Sequence, residues 1–155
     1  MPHRNIFKKI LFCTDFNTDA LRAFRYALNI AAANEGSELI IFHAIPEPDA
    51  QFWKSYIYEV EDVDAKARQD IDRKIAEVYI PAIPEGVQWS SDFSVGNVGE
   101  EILRKAREES VSLVVIGRGA GSNVINRMLG NFTEKVIRKA HCPVLVVPDE
   151  EESEI

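Results

Sequence analysis

Short, strongly apolar runs alternate along this chain with longer segments in which apolar residues recur every three or four positions, and few folds accommodate that order. The run from Lys8 to Phe16, "KKILFCTDF", ends in turn-forming residues. It is followed by a segment in which Leu21, Phe24, Leu28, Ala31 and Ala32 share one helical face. Asn17 or Thr18 can cap the start of that helix, and Gly36 follows its end. The next run, "ELIIFHAI" from Glu38 to Ile45, is apolar nearly throughout, as suits a parallel strand covered on both faces. Parallel neighbours need a crossover between them, and the intervening helix supplies it.

The alternation continues to the end of the chain. A proline-marked connection carrying Phe52, Trp53, Tyr56 and Tyr58 reads as packing over the sheet edge. Beyond Val60, the residues Val63, Ala67, Ile71, Ile75 and Val78 predict an amphipathic helix that stops near "IPAIP". Gly86 to Val95 reads as a strand, and the helix after it opens with Asn97 and Glu100 at capping-box spacing. Ser112 to Gly117 and Pro143 to Pro148 are β-branched strands enclosing a helix from about Phe132 to Ala140. The order βαβαβαβαβ predicts an α/β fold: an open five-stranded parallel sheet, Rossmann-like, with right-handed crossovers and helices on both faces. Residues 1–148 are expected to form a single domain and the acidic residues 149–155 a disordered tail.

In such sheets ligands bind beyond the carboxyl ends of the strands, where the strand order reverses. Thr14 and Asp15, ending the first strand, and Gly117, ending the fourth, are the first candidates for a site. Other chemistries fit less well. A formal charge of -7 argues against a grip on nucleic acid or anionic lipid. No apolar run approaches the ~20 residues that span a bilayer, and "MPHRNIFKK" leads into a strand without a signal sequence, so a cytoplasmic protein is expected. Cys13 and Cys142 lack metal-ligand spacing and read as buried thiols. Of the scattered histidines, His43 reads as a satisfied core residue. There is no G-x-S-x-G elbow, and the third strand ends "FSVGN" where a receiver domain would need its phosphoacceptor aspartate.

The stretch from Val114 to Pro148 crowds glycines between a strand and a helix, where free backbone N–H groups can hold an anion. It has no G-x-x-x-x-G-K-[ST], and "GRGAGS" places Ser122 where the third glycine of G-x-G-x-x-G would stand. The stretch instead resembles the universal stress protein family, whose nucleotide-binding members carry glycine, two residues, glycine, nine residues, glycine, then serine or threonine. Gly117 and Gly130 match at the right interval, while Ala120 replaces the second glycine and Asn131 the hydroxyl residue. "CTDF", "FHAI" and "GNFTEKVIRKAHCPVLVVP" resemble further landmarks, so the likeness covers nearly the whole chain. Asn131 and Glu134 keep a capping-box spacing, whereas Ala120 adds a Cβ that costs roughly 1 kcal/mol wherever the backbone needs positive φ.

The resemblance implies an adenine nucleotide alpha hydrolase-like fold that binds ATP, with or without Mg²⁺. Position by position, it implies that Thr14 and Asp15 face ribose or phosphate and that Ala44 and Ile116 border the base. Gly117, Gly130, Asn131, Phe132 and Thr133 would surround the phosphates, with Gly119 and Ala120 in the loop between. It further implies a homodimer paired through the last strand, Pro143 to Pro148. The resulting reading is an ATP-binding regulatory module in stress response. Its alternatives are a nucleotide-free scaffold acting through the dimer surface, and a slow ATPase or autokinase.

Overall fold

A computed structural model describes residues 4–46, 63–118 and 132–148. Its elements are β1 (Lys9–Cys13), α1 (Thr18–Ala33), β2 (Glu38–Pro46), α2 (Val63–Val78) with a short 3-10 turn at Ile80–Ala82, β3 (Gln88–Gly96), α3 (Val98–Glu108), β4 (Leu113–Gly117), α4 (Thr133–Lys139) and β5 (Val144–Val147). Every strand pairing is parallel, and the order across the sheet is β3-β2-β1-β4-β5. The chain therefore steps outward from β1 to β3, returns to β4 on the other side of β1, and steps outward again. Because crossovers in parallel sheets keep one hand, this change of direction also changes the face on which the helices lie.

The packing follows that rule. Ile10, Phe12, Leu39, Ile41 and Val115 point toward α1 and α2, where they meet Ala23, Phe24, Ala27, Ile71 and Ile75. Leu11, Ile40, Phe42, Val114 and Ile116 point the other way, against Ile102, Leu103, Ala106 and Val136 of α3 and α4. Successive strand residues alternate between the two cores, and each fully buried aliphatic or aromatic side chain contributes about 1.5–3 kcal/mol. Asn97 Oδ1 accepts the Glu100 N–H at 3.1 Å, which realises the predicted cap of α3.

Several local expectations shift. On α1 the buried stripe is Ala20, Ala23, Phe24, Ala27 and Ala31, while Leu21 is 38% exposed and Ala32 lies outside. The small alanines allow close approach to the sheet, so contact follows them and Leu28 only borders the core. On α2 the face continues from Ile71 and Ile75 to Tyr79, which is fully buried, and Val78 is 42% exposed. A four-residue step keeps Tyr79 in line with Ile75, whereas Val78 falls on the flank. Cys142 is only half-buried, unlike Cys13, because it lies in the bend that leads into an edge strand. The cap position of α4 is Phe132, one residue later than the Asn131 box indicates. The aromatic connection at Phe52 to Tyr58 and the acidic tail lie outside the described residues.

At the open edge of the sheet, Asp92 of β3 joins the two helix layers. Its carboxylate accepts from Arg68 of α2 at 2.9 Å and from Lys105 of α3 at 2.7 Å, and Lys105 also reaches Glu109 at 3.2 Å. Burial by itself would raise the Asp92 pKa, but the hydrogen bonds from Lys105, the Phe93 N–H and Arg68 together hold it below the usual value. A carboxyl depressed in the folded state adds stability above its unfolded pKa, and that contribution disappears as pH falls through the folded value. Asp92→Asn is expected to cost about 1 kcal/mol in urea denaturation at neutral pH, a value reduced for the partial exposure of the site. The penalty should shrink below pH ~4.

Candidate functional site

The strand order reverses between β1 and β4, so the helices following these two strands diverge and leave a crevice at their carboxyl ends. On the β1 side the chain makes a tight turn. The Thr14 N–H still donates to the Phe42 carbonyl at 2.9 Å, extending the ladder one residue beyond the strand. The Thr14 hydroxyl accepts the Phe16 N–H at 2.8 Å and is also hydrogen-bonded to the Tyr79 hydroxyl. Phe16 has φ of 65°, in the left-handed region that a bulky residue adopts only when its surroundings enforce it. The chain can then enter α1 at Thr18.

Asp15 stands half-buried at the crest of this turn. Its carboxylate accepts the Asn17 N–H at 3.0 Å and the Asn17 side-chain amide at 2.9 Å, an arrangement that fixes the side chain and opens the helix. Asn17 caps α1 without a side-chain bond of its own to the helix. Beneath the turn, the Phe16 ring lies 4.9 Å from that of His43 and 6.0 Å from that of Tyr79, with Lys74 Nζ 5.2 Å from its centre. His43 is satisfied, as expected. Its Nδ1–H donates to the Thr14 carbonyl at 2.7 Å, and since a carbonyl can only accept, the tautomer carrying the proton on Nδ1 is set. Burial pushes the Tyr79 hydroxyl up to about 12; the bond to Thr14 opposes that rise and the Asp15 carboxylate adds to it. Tyr79 therefore stays protonated at physiological pH.

On the β4 side, Gly117 is buried against the first turn of α1, and a Cβ added there would sit 3.3 Å from the Asp19 carbonyl oxygen. The glycine lets the helix start close over the strand end. The Arg118 N–H continues the ladder to the Val147 carbonyl at 2.8 Å. Across the same face of the sheet, Ala44, Ile116 and Phe132 share one apolar cluster. Thr133 opens α4 fully buried, and its hydroxyl has no hydrogen-bond partner among the described residues.

The structure thus brings Ala44, Ile116 and Phe132 together on the α3 and α4 side, with Asp15 and Gly117 at the ends of the two central strands. Thr14 turns its hydroxyl toward Tyr79, just past the end of α2. Gly119, Ala120, Gly130 and Asn131 lie outside the described residues. Tyr79, Phe16 and Lys74 were not singled out by the sequence, although the four-residue step from Ile75 to Tyr79 was a usable signal. Cys13, buried beside the turn, has a thiol held far above its usual range by burial and is no nucleophile at neutral pH.

Residues 6–148 match the family model of the universal stress protein family. A universal stress protein of Thermus aquaticus is 32% identical over 144 residues, covering 92% of this chain and 99% of that protein. Among solved structures, the Methanocaldococcus jannaschii protein MJ0577 superposes with a TM-score of 0.73 at 26% identity, over 94% of this chain and 98% of that one. A universal stress protein solved in complex with cAMP superposes with a TM-score of 0.59 at 26% identity, over 92% and 97%.

Replacing Gly117 should measure how closely the two sides of the crevice pack. Overpacking costs about 1–3 kcal/mol, offset by about 0.4–1 kcal/mol from the stiffer unfolded chain. Gly117→Ala is therefore expected to lower unfolding stability by about 1 kcal/mol in chemical denaturation. An unchanged midpoint would show that α1 can retreat from the strand end freely.

Proposed function

The chain belongs to the universal stress protein family, and from that premise we propose that it is an ATP-binding regulatory module, with the nucleotide lying across the carboxyl ends of β1 and β4. The observation that carries this reading is the buried Thr133 hydroxyl without a partner. Such a group costs about 1–3 kcal/mol, and an incoming phosphate oxygen would supply the missing acceptor. On the α3 and α4 side of the sheet, the small side chain of Ala44 and the apolar Ile116 suit the border of an adenine ring. Asp15, already oriented by Asn17, suits the ribose hydroxyls as acceptor. With Asp15 and Asp19 both at the β1 end, the reading puts the ribose there and the phosphates on the β4 and α4 side. Mg²⁺ would enter with the phosphates, its remaining ligands being water or a carboxylate.

The cAMP complex of a relative supports the adenine nucleotide class; ATP itself is the finer step. Regulation then rests on a difference in affinity between two arrangements of the nucleotide-facing residues, since a ligand shifts a conformational equilibrium only by that difference. Calorimetric titration with ATP and Mg²⁺ should give one site per chain, and Asp15→Ala should weaken it by about tenfold, roughly 1.4 kcal/mol. No heat at millimolar ATP would sink the reading.

The module is proposed to work in the cytoplasm as a homodimer. No helix among the described residues is long and apolar enough to cross a membrane. β5 ends the sheet with Val144, Leu145 and Val146 only half-buried, and an apolar edge strand of this kind is a template for pairing with its own copy. Light scattering at micromolar concentration should report twice the mass of one chain; a single-chain mass would contradict the dimer.

A further inference from the structure

The turn that presents Asp15 is held from two distant elements, and neither hold is needed for packing. Tyr79 fills its place in the core through its ring, which meets Phe12 edge-on at 5.3 Å and Phe24 at 4.7 Å. A phenylalanine would make the same contacts. What the hydroxyl adds is the bond to Thr14 Oγ1, the same oxygen that accepts the Phe16 N–H. His43 of β2 takes hold of the other end of Thr14, through the carbonyl. With the Thr14 N–H bonded to Phe42, every polar group of that residue is engaged.

The consequence falls on the next residue. The peptide unit is planar, so fixing the Thr14 carbonyl fixes the plane from which the Asp15 backbone departs. On its other side, Phe16 is kept in the left-handed region by the bond from its N–H to Thr14 and by its ring packing against His43, Tyr79 and Lys74. Asp15 is thus clamped between two residues whose conformations are set by α2 and β2.

We infer that Tyr79 and His43 are positioning residues of the nucleotide site, which hold the Thr14–Phe16 turn so that the Asp15 carboxylate meets its ligand in one preset orientation. The inference rests on the nucleotide reading above. It assigns the residue that follows α2 a part in binding although Tyr79 itself does not face the crevice, because its hydroxyl acts through Thr14. Preorganisation of this kind raises affinity by removing the ordering cost from the binding step.

A double-mutant cycle tests it, with ATP as the probe and the full chain as the protein. Tyr79→Phe removes one oxygen and keeps the ring, and is expected to weaken ATP binding about tenfold. In the Asp15→Ala background the same change should have no further effect, because the carboxylate it positions is gone. An unchanged affinity, or an equal loss in both backgrounds, would overturn the inference, since a merely structural role acts on either background alike. His43→Gln, whose amide can still donate, should retain more affinity than His43→Ala; equal losses would count against the bond to Thr14. Amide hydrogen exchange supplies a readout independent of ATP: Tyr79→Phe should speed exchange about tenfold at Phe16 and leave Ile10 to Phe12 unchanged. If the unaltered chain bound no ATP while this local loosening was seen, the nucleotide reading would fall and the brace on the turn would stand. Uniform loosening through β1 would instead mark Tyr79 as a core residue only.

Discussion

The single hand of the crossovers is the constraint on which the rest of this structure depends. Three strands laid down in one direction and two in the other oblige α1 and α2 to one face of the sheet and α3 and α4 to the opposite face. The two central strands consequently end beneath helices that diverge. No side chain opens the crevice between β1 and β4; it is the gap left by the change of direction. What side chains decide is its width: Gly117 admits the start of α1 close to the strand end, while Ala44 and Ile116 are packed into the core on the α3 and α4 side.

Two threonines at the crevice illustrate opposite uses of a buried hydroxyl. Thr14 is satisfied at every polar group, which ties β1, β2 and α2 into one rigid corner and forces Phe16 into a conformation it would not choose alone. Thr133 is equally buried, yet its hydroxyl finds no acceptor or donor among the described residues. A folded chain bears such a cost where an interaction from outside can relieve it. The contrast is between a hydroxyl that ties the turn to its neighbours and one left without a partner among the described residues.

The two edges of the sheet are treated differently as well. Along β3, Asp92 gathers Arg68 and Lys105 from the two helix layers, and the strand carries polar residues and charge where another chain would otherwise pair. β5 is short and almost purely aliphatic, with no comparable network among the described residues. That asymmetry leaves β5, beside the strand that ends in Gly117, as the less protected edge of the sheet.

Much of this was legible along the chain. The apolar runs gave the five strands to within a residue or two, the Asn97 and Glu100 spacing gave the cap of α3, and Asp15 and Gly117 were marked by their places at strand ends. Alternation and periodicity are local properties, and they sufficed because a parallel sheet with one crossover hand leaves little freedom once its elements are in order. Which residue meets which was another matter. That α1 would bury its alanines in preference to Leu21, that Tyr79 would displace Val78, and that its hydroxyl would reach Thr14 from α2 all depended on how closely helix and sheet approach. A pattern of apolar residues says which side of an element is turned inward. The distance across the interface, and therefore the hydrogen bonds that orient Asp15, is fixed only when both sides are packed together.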